Sequence, residues 1–246
     1  MRDDEFIPSR SHKSWDELLD ASVRLYRQAF WPLVGAAFLG TLVSNILAET
    51  LSAEEFLPSF AVFLIPFIPA YIAGAAITIV AWQANQGHRA EATTGYLAAL
   101  SIAPKYIAMN MLILVIVLGS MISVVAFPLG LILYARWAIA GPVMLLEQQG
   151  IAQSLRRSWH LVEKRVLRTL GLVIATEVAM FLVLYVLRAF LLPLGDNPGP
   201  VIITLTIAES LALPLVGVFF YLLFEDYRAL AEEAGSGSRI PPSSVA

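Results

Sequence analysis

The sequence predicts an all-α fold: a polytopic membrane helical bundle of six transmembrane helices with three interfacial amphipathic helices. Three observations carry this. Hydrophobic residues make up 58% of the chain and charged ones only 14%, where soluble proteins carry about 25% charge. Mean hydropathy is +0.74. The apolar residues fall in blocks near the roughly 20 residues a helix needs to cross a bilayer.

Residues 1–13 are polar, mixed in charge and contain Pro8, which predicts a mobile cytoplasmic tail ahead of a membrane domain over 14–234. Ser14-Trp15-Asp16-Glu17 is a capping box, in which Ser14 and Glu17 satisfy each other's backbone N–H. Trp15, Leu18, Leu19, Ser22, Leu25, Tyr26, Ala29 and Phe30 then share one helical face, with Asp16, Glu17, Asp20, Arg24 and Arg27 opposite. That pattern predicts a helix lying on the membrane surface and turning inward near Trp31-Pro32. The charged first thirty residues lack the apolar core of a secretory leader, so the first span is expected to stay as an uncleaved anchor.

The first span covers Trp31 to Ala48 and the second Phe56 to Trp82, where Pro66 and Pro69 predict a kink or break. Ala70, Gly74 and Thr78 are spaced for close helix packing. A weaker amphipathic segment, Tyr96 to Lys105, precedes the third span, Ile107 to Phe127. Pro128-Leu129-Gly130 predicts a tight turn into the fourth, Leu131 to Leu146, and Gly150 a left-handed helix cap. The third surface helix runs from Ile151 to Val166 with Ile151, Leu155, Trp159, Val162 and Val166 as its apolar stripe and Arg156, Arg157, His160, Glu163 and Lys164 facing away. The fifth span is Thr169 to Phe190 and the sixth Val201 to Phe224, followed by a Gly/Ser/Pro-rich tail over 235–246. Laid together, the first and third surface helices pair Leu19 with Leu155, Ser22 with Ser158, Leu25 with Leu161 and Gly35 with Gly171. With the shared order of surface helix, span, span, this points to three copies of one unit.

Lys and Arg near span ends set orientation. Arg24, Arg27, Arg89, Lys105, Arg156, Arg157, Lys164, Arg165, Arg168 and Arg228 lie on the side of both termini; the other side holds Arg188 against Glu49, Glu54, Glu55 and Asp196. Both termini are therefore expected in the cytoplasm. The absence of cysteine removes disulfides and thiolate chemistry and fits a bacterial inner membrane.

Three ionisable residues fall inside spans: Arg136, Glu177 and Glu209. By helix rise, Glu177 stands roughly 12 Å from the cytoplasmic boundary and the other two deeper. An isolated charge there costs at least ~2.5 kcal/mol, so Arg136 is expected to meet Glu209 or Glu177 inside the bundle. Such a pair is either a structural lock or a proton or substrate site. Glu147 pairs with Arg156 or Arg157, or stands as a solvated helix end. Arg24, Arg27, Glu147, Arg156, Arg157, Trp159, Lys164 and Arg165 form the candidate contact set for anionic lipid headgroups or a protein partner. His12, His88 and His160 are scattered without metal-ligand spacing, and no phosphate loop, nucleophile elbow or zinc-protease motif occurs. No catalytic residue, cofactor or metal is assigned, and no basic aromatic module supports nucleic-acid binding.

The run RWAIAGPVMLLEQQGIAQSLRRSWHLVEKRVLRTLG resembles the membrane domain named after glycerophosphoryl diester phosphodiesterases. Arg136, Trp137, Pro142, Glu147, Ser154 to Trp159, Leu161, Val162, Arg168, Leu170 and Gly171 meet that family's pattern. The opening WDELLDASVRLYRQAFWPL and the closing Tyr-x-x-Phe-Glu-Asp-Tyr-Arg are similar to its ends. The resemblance implies six spans and no catalysis, because the phosphodiesterase of the name is a separate soluble barrel for which this chain has no room. Together these readings favour a non-enzymatic accessory or scaffold protein of a lipid or envelope system, bound to membrane lipids and to a membrane protein partner or its own copies. The alternative is a small lipid or metabolite transporter with a site at Arg136, Glu177 and Glu209.

Overall fold

The apolar blocks form six helical spans in the computed structural model of the chain, which describes residues 13–52, 58–122, 126–191 and 198–236. The protein is an all-α polytopic bundle with no strand among the described residues. The helices are α1 (Trp15–Gln28), α2 (Phe30–Ser52), α3 (Ser59–Leu64), α4 (Phe67–Asn85), α5 (Ala92–Met121), α6 (Phe127–Trp137), α7 (Ala140–Leu146), α8 (Ile151–Val162), α9 (Val166–Leu191) and α10 (Pro198–Ser236). The spans are α2, α3–α4, α5, α6–α7, α9 and α10.

The capping box forms: the Ser14 N–H donates to Glu17 Oε2 at 2.7 Å and the Glu17 N–H to Ser14 Oγ at 3.4 Å. It starts α1 in the register that buries Leu18, Ser22 and Leu25. This face packs on α10 and α4. Trp15 meets the Phe219 ring edge-on at 5.8 Å and the Tyr26 hydroxyl donates to the Leu211 carbonyl at 2.8 Å. The apolar stripe of α1 is thus largely spent on the bundle. Burial pushes the Tyr26 hydroxyl above its usual pKa range.

Pro66 and Pro69 act as expected: the second span breaks at Ile65–Pro66, and Pro69 falls in the first turn of α4, where a helix N–H has no intrahelical acceptor. The small-residue row differs. A Cβ on Gly74 would meet nothing within 4 Å, whereas one on Gly40 would lie 2.5 Å from Ala73 Cβ and one on Gly217 2.6 Å from Ile77. The close packing runs one position along α4, on Ala73, Ala76, Ile77 and Val80.

The amphipathic segment expected over 96–105 is not a separate surface helix. It is the first part of α5, which runs unbroken for 30 residues through Pro104. Pro128 does not make the turn either; it lies in the first turn of α6, a position suited to its fixed φ and missing N–H. The chain does return beside α5, and Gly130 sits against Ser120 so closely that a Cβ would fall 2.0 Å from its hydroxyl. The fourth span breaks at Ala138–Ile139, just ahead of Pro142, which has no N–H to offer the Ala138 carbonyl. The left-handed residue after α7 is Gln148 (φ 51), not Gly150, which at φ −73 and ψ 166 is the N-cap of α8.

α8 buries Ser154, Ser158, Leu161 and Val162, a stripe turned from the expected one toward α7 and α6. A 3-10 turn over Glu163–Arg165 then separates it from α9. A straight helix would put Ser158 and Glu177 roughly 28 Å apart. Both nevertheless touch α6, at Arg136 and Tyr134, so the chain bends at this turn. The order of surface helix, span, span holds in the first and third units; in the middle one the surface helix is fused to its span. The largest fully buried side chains include Tyr221, Phe224 and Tyr227 on α10, Leu18 on α1, Ile139 between α6 and α7, and Val162 on α8.

The two expected tails lie outside the described residues apart from Lys13, whose N–H donates to Asp226, and Gly235–Ser236, which finish α10. Glu54, Glu55, Phe56, Asp196 and the side chain of Arg188 also lie outside them.

Candidate functional site

Arg136 stands at the break in the fourth span. The break leaves its carbonyl free to accept the Ser158 hydroxyl at 2.7 Å, which fixes α8 against α6. Its guanidinium lies over the Trp159 ring at 4.1 Å, a contact worth up to about 2 kcal/mol when desolvated. Nε and Nη1 are buried and have no hydrogen-bond partner.

The expected ion pair does not form: among the described residues, Arg136 meets neither Glu177 nor Glu209. Tyr134 and Arg136 are two positions apart on one helix, so they point to nearly opposite sides. Tyr134 faces α9 and donates to Glu177 Oε1 at 2.7 Å. Arg136 faces α8. Glu209 belongs to a third place, between α10 and α2, where Asn45 Nδ2 donates to Glu209 Oε2 at 2.9 Å and to Thr206 Oγ1 at 3.1 Å. Helix rise sets the depth of a residue but not its direction, and direction separates these three.

The α2–α10 contact is a polar seam. Thr41 and Ser210 share a hydrogen bond at 3.0 Å, and Ser44 donates to the Pro66 carbonyl, freed by the break before α4, at 2.6 Å. A signal for it exists in the sequence. Thr41, Ser44 and Asn45 on α2 and Thr206, Glu209 and Ser210 on α10 both follow i, i+3, i+4, the spacing that puts polar groups on one face.

A second set of residues clamps the α8 end. Asp226 is 8% exposed and receives the Lys13 N–H at 3.2 Å; Arg168 Nη1 stands 3.6 Å from its Oδ2 and Arg168 Nη2 donates to the Lys13 carbonyl. Thr169 and the Tyr227 hydroxyl lie 2.9 Å apart, with the Arg165 and Arg168 guanidinium groups 5.3 and 5.6 Å from the Tyr227 ring. Three chain segments meet here: the start of α1, the start of α9 and the end of α10.

Of the headgroup candidates, Arg24, Arg27, Arg156 and Lys164 are exposed. Arg157 pairs with Glu147 at 3.3 Å, Arg165 covers Tyr227 and Trp159 covers Arg136. Arg156, Arg157, His160, Gln149 and Gln153 line an open polar groove of about 340 Å³ along α8. An apolar groove of about 660 Å³ lies between α9 and α10, lined by Leu182, Val186, Phe190, Ala208 and Leu211 among others. Neither is lined by Arg136, Glu177 or Glu209. Among the described residues no three His, Asp or Glu side chains come together as a metal ligand set.

The unpartnered nitrogens of Arg136 give a test. A buried donor without an acceptor is a net cost, so Arg136→Met, which keeps volume over Trp159, is expected to leave the melting temperature unchanged or raise it. Trp159→Leu, which leaves the guanidinium uncovered, is expected to lower it. Thermal unfolding of both variants in one detergent measures the difference.

No family model, curated protein or solved structure matches the chain.

Proposed function

We propose that this chain is a non-enzymatic accessory or scaffold protein of a bacterial inner membrane, serving a lipid or envelope system, with both termini in the cytoplasm. The observation that carries this reading is the separation of the intramembrane ionisable residues. Arg136, Glu177 and Glu209 each have their own fixed neighbour, Trp159, Tyr134 and Asn45, and so behave as three structural contacts rather than one binding site. A transport site needs convergent groups around a shared space. The family resemblance supports the same reading. The transporter alternative has one observation in its favour: the groove of about 660 Å³ between α9 and α10 has the apolar lining that a lipid chain needs.

The deciding experiment is extraction into native lipid particles followed by mass spectrometry of everything retained. A stoichiometric membrane protein is the expected result. A reproducible lipid or metabolite with no protein partner overturns the scaffold reading in favour of transport. Topology is checked separately, since the absence of native cysteine allows single reporters. Reporters at Glu54 and Gln153 are expected to label from opposite sides, Gln153 from the cytoplasm; labelling from the same side contradicts the six-span arrangement.

A further inference from the structure

α9 is the least covered of the six spans. Phe181, Tyr185 and Phe190 are 65%, 63% and 77% exposed, and lipid chains cover such side chains without preference. Glu177 is different. It lies at the middle of α9, is exposed, and among the described residues has one hydrogen bond, from Tyr134 to Oε1. Lipid offers no donor at that depth, and neither groove reaches the carboxyl. Phe181 and Tyr185 follow it at i+4 and i+8, so the three form one row, and the two rings stack at 5.8 Å. A second copy docked on this row would set two Glu177 carboxyls against each other with no cation between them. A cation from a different helix instead meets the carboxyl and the face of the adjoining ring.

We infer that the Glu177–Phe181–Tyr185 row of α9 is the docking face for a transmembrane helix of another protein that carries an arginine or lysine at mid-bilayer depth. This rests on the accessory-protein reading and names the chemistry of the partner. Intramembrane ionisable groups are characteristically paired with one another, and a polar contact between helices in lipid sets partner choice as well as strength.

The test uses the full chain in nanodiscs with synthetic leucine-rich transmembrane peptides whose central residue is arginine, leucine or glutamate, with association read by energy transfer. The arginine peptide is expected to bind about tenfold more tightly than the leucine peptide, and the glutamate peptide no better than leucine. Glu177→Leu abolishes the preference; Glu177→Gln, which keeps an acceptor for Tyr134, reduces it and serves as the second variant should the first misfold. A photo-cross-linker at Phe181 captures the arginine peptide, and one at Leu112, exposed on α5, does not. Equal binding of the arginine and leucine peptides, an undiminished preference in both Glu177 variants, or cross-links from Phe181 only to a second copy overturn the inference. The accessory reading is decided independently by co-purification: a stoichiometric native partner that never cross-links to Phe181 leaves it standing and removes only the α9 face.

Discussion

Gly40→Val is expected to lower the stability of the bundle by about 3 kcal/mol or more, the upper range for forcing volume into a packed core. The first added carbon alone would lie 2.5 Å from Ala73 Cβ, 2.8 Å from the Pro69 carbonyl and 3.0 Å from the Tyr96 hydroxyl. Two of these three atoms belong to the backbone or are attached to it, so no rotamer change relieves the contact and α2 must move away from α4. That movement also strains the seam above it, where Thr41, Ser44 and Asn45 meet Ser210, Pro66 and Glu209. Gly74→Ala is the matched control: its new methyl meets nothing within 4 Å, and replacing a mid-helix glycine is worth up to about 1 kcal/mol in helix propensity. Thermal unfolding in one detergent should show a large loss for the first variant and none for the second. Equal losses would mean that α2 and α4 do not cross at Gly40.

The contrast between Gly40 and Gly74 also marks how far the sequence can be read. Apolar block length and the placement of prolines predict the six spans and the break at Pro66, because these follow from the backbone alone. Ser14 and Glu17 are equally local. The direction in which a helix faces within an apolar block is not local: every side of α4 is apolar, so Ala70-Gly74-Thr78 and Ala73-Ile77 are indistinguishable by composition. The same ambiguity applies to Arg136, whose depth is countable but whose orientation toward Trp159 depends on the break before Pro142 and the bend after α8. In the candidate site, Arg136, Glu177 and Glu209 were legible as residues requiring partners. Their partners, Trp159, Tyr134 and Asn45, come from three different helices and emerge only with the packing. The segment over 96–105 shows the opposite limit: its amphipathic pattern differs from that of the third span, yet α5 runs unbroken through both and through Pro104, so a change of pattern is not a change of helix.

Asp226→Ala should be the most damaging change at the α8 end, at about 3 kcal/mol, because removing one member of a buried pair leaves the other charge without compensation. Asp226 has a side chain 7% exposed against 22% for Arg168, and it also accepts the Lys13 N–H. Its loss therefore strands the Arg168 guanidinium and releases the segment that leads into α1. Asp226→Asn retains an acceptor for Lys13 and should lose about half as much. Arg168→Ala strands the carboxylate instead, and the Arg168→Ala/Asp226→Ala double variant should cost less than the two single losses together, since neither partner remains to be stranded. A readout specific to the clamp accompanies the melting temperatures: limited trypsin cleavage after Lys13 should accelerate in Asp226→Ala and stay slow in Asp226→Asn. The three segments tied together here are distant in sequence, so the clamp forms only once the starts of α1 and α9 have met α10. Strict additivity in the mutant cycle would show that Arg168 and Asp226 act independently, each through its own bond to Lys13.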